Sequence, residues 1–213
     1  MTRWGTILTT ALSLALALAA AVATLALAVP VYAQSSGSSS STGVVVAVQA
    51  GGVKTVTDFN DAGTADLKLG FTVGGELGYQ FHRVVTLRGT YSFKRSETRG
   101  TGLPSSLPAG TKTNRQFYGG ELQLNAPLPG GFSPYLLAGA GAVTFKPDTT
   151  PSQASFTKPA GKAGVGLGYT MPNSAVSVFV EGSGWVYQLD RFGFDKTQFD
   201  LTWSGGLAYR FGK

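Results

Sequence analysis

The sequence predicts an all-β protein, an eight-stranded antiparallel up-and-down transmembrane β-barrel preceded by a cleaved signal peptide. Three observations support this prediction. The 213-residue chain has 30 glycines, 13% charged residues and no cysteine, which disfavours a soluble helical domain and excludes disulfide scaffolds and cysteine-ligated metal sites. Apolar and polar residues alternate along the chain, as they do in strands with one apolar face. The connections between these segments are alternately short and long.

Residues 1–33 are predicted to be a signal peptide, because a positive charge precedes a long apolar run that a proline ends. We expect cleavage after Ala33, since Val31 and Ala33 occupy the −3 and −1 positions of the site. The run is also long enough for an uncleaved membrane helix, which is the alternative. The serine-rich residues 34–42 are interpreted as a flexible leader, and residues 43–213 as the barrel domain.

Apolar and polar residues alternate along eight segments of 12 to 16 residues. Each segment is long enough to cross a membrane, since about 9–11 residues suffice for a transmembrane strand. Residues 66–81 are the clearest example, with odd positions apolar or glycine and even positions polar or glycine. Gly51 and Gly52 form a candidate β-bulge in the first segment, and the fifth segment is apolar on both faces, so neither has a predicted register. The predicted strands are 44–57, 66–81, 84–95, 114–126, 133–146, 158–171, 174–188 and 197–211.

The connections indicate how such a barrel is oriented. With an even number of strands, both termini lie on the side of the short turns, which is the periplasmic side of an outer-membrane barrel. The apolar face is predicted to meet lipid, and the polar face, rich in small residues, to fill a narrow lumen. In the alternative, a soluble lipocalin-like ligand-binding barrel, the apolar face turns inward. Short connections are predicted at 80–83, 127–131 and 171–173, and long ones at 58–65, 96–113, 147–157 and 189–196.

Together these features resemble the small eight-stranded outer-membrane barrels of the OmpA transmembrane domain and OmpX type, over residues 43–213. The chain end is the most specific part. Ser204, Gly206, Tyr209 and Phe211 match the polar-x-Gly-x-x-hydrophobic-x-aromatic signal that the barrel-assembly machinery reads, although two further residues follow the aromatic one. The resemblance implies a bacterial outer-membrane location, contact with lipid and lipopolysaccharide, the assembly machinery and periplasmic chaperones as partners during insertion, and a monomer.

The predicted inward face carries charges of both signs, and the resemblance implies that they form a salt-bridge network filling the lumen. Pairing is expected because an unpaired charge in a dry interior costs several kcal/mol. Such a network acts either as a plug or as the gate of a narrow ion path, and an eight-stranded lumen favours the plug because it holds little more than side chains. The predicted members are Lys68, Glu76, Arg88, Arg115, Glu121, Lys162, Glu181 and Arg210.

The sequence thus predicts a structural or surface-interaction role without catalysis or cofactors, with a small pore or transport channel as the alternative. His82 is the single histidine and lies in a predicted short turn, so a histidine-dependent triad at the outer rim is not available. The segment 58–63 lacks the ligands of a calcium loop, and no basic cluster with stacking aromatics indicates nucleic-acid binding. Basic residues flanking the loop 96–113 are candidates for binding lipopolysaccharide phosphates, although an ordinary solvated loop has the same composition.

Overall fold

The computed structural model describes residues 42–57, 65–101, 103, 107–148, 154–190 and 195–212. The predicted signal peptide, nearly all of the leader and the calcium-like segment 58–63 lie outside the described residues, and cleavage after Ala33 stays a prediction. Among the described residues, no helix has the length and apolar character needed to cross a bilayer.

Eight long strands and one of three residues form the predicted barrel. The strands are β1 (Gly43–Thr55), β2 (Ala65–Leu67), β3 (Gly70–His82), β4 (Val85–Gly100), β5 (Lys112–Asn125), β6 (Phe132–Pro147), β7 (Phe156–Thr170), β8 (Val176–Leu189) and β9 (Lys196–Phe211). The long strands are hydrogen-bonded antiparallel in the order β4-β3-β1-β9-β8-β7-β6-β5, and a further pairing of β5 with β4 closes the ring. The short strand β2 pairs with the end of β4.

Three short connections lie at the same end of the barrel as the start of β1 and the end of β9, and we call this the turn end; the opposite end is the loop end. Two of these turns contain residues in the left-handed region of backbone space. Gly130 and Gly131 have φ of 82° and 86° in the β5–β6 connection, and Asn173 has φ of 55° in the β7–β8 connection. Glycine and asparagine are the residues that adopt this conformation at least cost, so the sequence sets these reversals locally.

The second predicted strand, 66–81, is interrupted by a β-bulge. Leu67 lies opposite Thr98 on β4, whereas Phe71 lies opposite Arg95. The stretch from Leu67 to Phe71 is therefore one residue longer than the stretch of β4 with which it pairs. Such an extra residue reverses which face the following side chains occupy.

This reversal changes the predicted faces near the loop end. Leu67 is fully buried in the lumen, while Leu69 is 65% exposed on the outside, so the prediction of one continuous apolar face over this segment is wrong here. Lys68 lies within the bulge instead of on the lumen wall. A Cβ atom on Gly70 would lie 2.1 Å from the Arg95 carbonyl oxygen, so this close approach of the two backbones requires glycine.

The first strand contains no bulge at Gly51 and Gly52. The pairing of β1 with both β3 and β9 continues through these two residues without a shift. A Cβ on Gly51 would lie 1.9 Å from the Trp203 carbonyl oxygen, and one on Gly52 would lie 2.5 Å from the Trp203 ring. The two glycines therefore admit the β9 backbone and its tryptophan.

Large apolar side chains cover the outside of the barrel. A soluble barrel would place these side chains in its interior, and the structure places them outside, as the membrane prediction requires. Aromatic pairs ring the turn end, with centroids 4.9 Å apart for Tyr79 and Phe81 and 4.6 Å apart for Tyr209 and Phe211. Exposed aliphatic residues in the middle of the strands include Val48, Leu77, Leu87, Leu122, Val165, Val180 and Leu207.

Candidate functional site: the barrel lumen

Five predicted lumen residues from five different strands meet in one buried cluster, which we call the Arg88 cluster: Glu76, Arg88, Glu121, Lys162 and Glu181. Arg88 lies at its centre. Its Nη1 donates to Glu76 at 2.6 Å, and its Nη2 donates to Glu181 at 2.7 Å and to Glu121 at 3.0 Å. Lys162 bridges the last two carboxylates at 3.0 and 2.8 Å. The cluster therefore ties β3, β4, β5, β7 and β8 together across the lumen.

Neutral side chains complete the hydrogen bonding of this cluster. The Tyr135 hydroxyl donates to Glu181 at 3.2 Å, and the Gln49 amide donates to Glu76 at 3.1 Å. The Ser204 hydroxyl in turn donates to Gln49 at 2.6 Å. The sequence pattern did not indicate Tyr135 and Gln49, because it predicts no register for the strands that carry them. Their contacts leave each Glu oxygen of the cluster within reach of donors, as buried carboxylates require.

The other three predicted members lie elsewhere. Arg115 is fully buried nearer the loop end, where its Nη1 donates to Asp200 at 2.5 Å. Arg210 lies near the turn end and donates to Gln80 at 3.2 Å. Lys68 lies outside the lumen and contacts Glu97 at 2.6 Å, because the bulge removes it from the inward face.

Between the Arg88 cluster and Arg115 lies a layer that the alternating sequence pattern did not indicate. Lys94 is fully buried, and its Nζ lies 4.1 Å from the centroid of the Phe117 ring and 5.6 Å from that of Trp185. The same ammonium donates to Thr202 at 2.7 Å. Cation–π contacts with both rings stabilise this ammonium. Trp185 shares the inward parity of Glu181 along β8, and that parity is the signal from which this ring was predictable.

The buried charges of the described residues balance. The Arg88 cluster contains three carboxylates and two cations, Arg115 and Asp200 form one pair, and Lys94 supplies the remaining positive charge. Four acidic and four basic side chains therefore fill the lumen. An electrically neutral filling avoids the large cost of an uncompensated charge in a low-dielectric interior.

The two ends of the lumen differ. At the loop end, Ala65, Leu67 and Leu189 are fully buried in an apolar layer, and Leu103 and Phe156 pack against it. At the turn end, the lumen opens into a cavity of about 340 Å³ that reaches the Arg88 cluster. Polar residues that line this cavity include Gln80, Thr86, Gln123, Asn125, Thr170 and Ser177. The described lumen is thus a cup that is open at one end and closed by charged, aromatic and apolar layers toward the other.

Comparisons with known proteins agree with this architecture. Residues 14–211 match the family model described as outer membrane protein beta-barrel domain. No curated protein matches the chain. The crystal structure of Neisserial surface protein A aligns with a TM-score of 0.57 at 17% identity, covering 79% of this chain and 97% of that one. The N-terminal β-barrel domain of Pseudomonas aeruginosa OprF aligns with a TM-score of 0.47 at 16% identity, covering 80% and 99%. At these identities the first of the two indicates a shared fold and nothing further.

Proposed function

Because the chain belongs to the outer membrane protein beta-barrel domain family, we propose that it is a closed, non-catalytic barrel with a structural or surface-interaction role in the bacterial outer membrane. The family supports the outer-membrane location. By the usual arrangement of such barrels, the turn end with both strand termini faces the periplasm and the loop end faces outward.

The filled lumen is the observation on which this proposal rests. An ion that enters from the periplasmic cup meets first the Arg88 cluster, then the layer of Lys94 and its two aromatic rings, and finally the apolar layer around Leu67. Passage requires breaking charge-assisted hydrogen bonds in a water-poor interior, each of which stabilises the closed state by about 1.5–3 kcal/mol. We therefore propose that the side chains in the lumen form a plug, which holds the strands together and conducts no ions.

The absence of catalysis is part of the same proposal. The single histidine, His82, is exposed at the turn end, where its Nδ1 accepts a 3.4 Å hydrogen bond from the Val84 amide. It lies far along β3 from the loop end, where a barrel enzyme acting on outer-leaflet or extracellular substrates would need its base. The carboxylates of the lumen are engaged with Arg88 and Lys162.

A small pore is the second candidate function, and the periplasmic cup is the observation that favours it. The cup reaches the Glu76 side chain, so displacement of the layers above would complete a path. In a pore, the charge of Glu76 faces the permeating ions and affects their passage.

Single-channel recording of the refolded full chain in planar bilayers distinguishes the two functions. The plug predicts no stable openings for the native protein, for Glu76→Gln or for Glu97→Gln, which makes the same change at an exposed position outside the lumen. Stable native conductance that changes in Glu76→Gln but not in Glu97→Gln would favour the pore and contradict the plug.

Assembly through the C-terminal signal is also proposed. Tyr209 and Phe211 are exposed on the outer face of β9 at the turn end, where an insertion factor has access to them. Packing also requires glycine at position 206, since a Cβ on Gly206 would lie 2.2 Å from the Val48 carbonyl oxygen. The glycine therefore serves the folded barrel as well as the proposed signal.

A further inference from the structure

We propose that the outer face of strands β4–β7, near the loop end, binds a phosphorylated glycolipid of the outer leaflet, the lipid A part of lipopolysaccharide. The surface, which we call the β4–β7 patch, consists of a cationic row, a row of hydroxyl and amide groups, and a smooth row of small residues. This inference rests on the proposed orientation, in which the loop end lies in the outer leaflet.

The cationic row consists of Arg95, Lys112 and Lys146, and its two lysines form no salt bridge among the described residues. Lys112 and Lys146 are exposed at outward positions of β5 and β6, and neither forms an ion pair in the described part of the chain. Arg95 contacts Asp148 at a loose 3.7 Å. Arg95, Asn114 and Lys146 lie side by side on three adjacent strands. Strands are about 4.8 Å apart, so long cationic side chains from this row can reach a single phosphate group.

Other cations at the loop end are already paired. Lys54 and Arg99 both contact Asp66 at 2.7 Å, and Lys68 contacts Glu97 at 2.6 Å. Glu97 lies directly opposite Lys112 but already accepts the bond from Lys68. An anionic ligand can therefore bind Lys112 and Lys146 without displacing a carboxylate from a salt bridge seen in the described residues.

The second row places polar groups where a barrel normally presents apolar ones. Gln116 and Thr157 are exposed at outward positions, and Thr144 lies opposite both of them on β6. The Thr144 hydroxyl lies 2.8 Å from that of Thr157 and 3.3 Å from that of Tyr118. Polar side chains facing hydrocarbon are costly, whereas the sugar hydroxyls and amide groups of lipid A offer hydrogen-bonding partners.

The third row continues toward the middle of the same strands. Gly120 lies opposite Ala140, and Ala140 lies opposite Gly161, all three exposed. A Cβ atom on Gly120 or Gly161 would have no atom within 4 Å, so packing within the barrel does not require glycine at either position. The row leaves a shallow, smooth surface against which saturated acyl chains can pack.

The opposite side of the barrel shows that the patch is local. There, β9 presents Leu201 and Trp203 to the outside near the loop end, and both are exposed. A general interfacial band would carry similar residues all around the rim. The cationic row of Arg95, Lys112 and Lys146 lies on β4–β6, whereas Leu201 and Trp203 face outward across the barrel, and this asymmetry indicates a site for a particular lipid.

The test is native mass spectrometry of the refolded full chain in detergent micelles titrated with diphosphorylated lipid A, with dephosphorylated lipid A as the headgroup control. We expect Lys112→Gln/Lys146→Gln to weaken binding about tenfold, since each exposed phosphate contact contributes modestly. Arg83→Gln removes an exposed cation at the turn end and is expected to leave binding unchanged. Gly161→Leu fills the smooth row without an internal clash and is expected to weaken binding several-fold.

Three results would overturn the inference: equal binding of both forms of lipid A, unchanged affinity in the double lysine variant, or an equal loss in Arg83→Gln. Heat-dependent gel mobility of each variant shows whether the barrel is folded. A folded variant with unchanged binding refutes the lipid site alone, whereas a native chain that never inserts refutes the proposed function.

Discussion

Replacement of Arg88 by methionine tests whether the buried cluster holds the barrel together. Arg88 donates to three carboxylates at 2.6, 2.7 and 3.0 Å, and methionine keeps much of its volume without the charge. Lys162, which contacts Glu121 and Glu181, would then be the one cation left in the cluster beside three carboxylates. The variant therefore contains two uncompensated negative charges within the cluster.

The expected cost follows from the burial of these groups. Removal of one partner from a buried ion pair destabilises a protein by about 3–5 kcal/mol, because the other charge stays buried without compensation. Arg88 and its three partners are each at most 7% exposed, so solvent screening does not reduce this figure appreciably. We expect Arg88→Met to lower the free energy of unfolding by about 3–5 kcal/mol.

The assay is reversible urea unfolding of the refolded chain in lipid vesicles, followed by tryptophan fluorescence. Arg83→Met is the matched control, since Arg83 is exposed at the turn end, and its expected change is within about 0.5 kcal/mol. In a double-mutant cycle, adding Glu181→Gln to Arg88→Met should recover about 0.5–3 kcal/mol relative to additive losses. A loss below about 1 kcal/mol in Arg88→Met, or strict additivity in the cycle, would refute the reasoning.

Three further expectations concern the lipid face, the chain end and the close strand contacts. Leu122→Arg should lower the free energy of unfolding by about 2–4 kcal/mol in vesicles if this residue meets hydrocarbon near the midplane, and a cost near zero would contradict that topology. Deletion from Tyr209 onward should abolish membrane insertion in cells, and normal heat-dependent mobility without it would refute the proposed assembly signal. Gly51→Ala should destabilise the barrel by 1 kcal/mol or more, because its Cβ would lie 1.9 Å from a carbonyl oxygen. Gly120→Ala, with open space at the same atom, should be nearly neutral in the same urea titration, and equal costs would disprove the steric argument.

The alternation of apolar and polar residues predicted most of the fold, because one face of each barrel strand meets lipid and the other meets the lumen. For β3, β5, β8 and β9, residue parity alone separated lipid-facing from lumen-facing positions, as Leu77 and Glu76 illustrate. The alternation could not reveal the bulge at Lys68, since the residues on both sides of it continue the same apolar and polar pattern. The required glycine, Gly70, stood among many glycines and carried no distinguishing signal.

The sequence predicted which residues face the lumen, but it did not predict which of them contact each other. Inward parity identified Arg88 and Glu181, yet contacts between strands that are distant in sequence depend on barrel register and strand tilt. Phe117 and Trp185 were missed because aromatic rings on the polar face break the alternation that defines that face. Their role depends on Lys94, whose buried ammonium lies between the two rings.

The central claim is that the chain forms an outer-membrane barrel whose apolar face meets lipid. Cell fractionation combined with gel electrophoresis of heated and unheated samples tests it most directly. We expect recovery in the outer-membrane fraction, with a mobility shift on heating that marks a closed barrel. Recovery of the folded protein in the soluble periplasm, without such a shift, would contradict it.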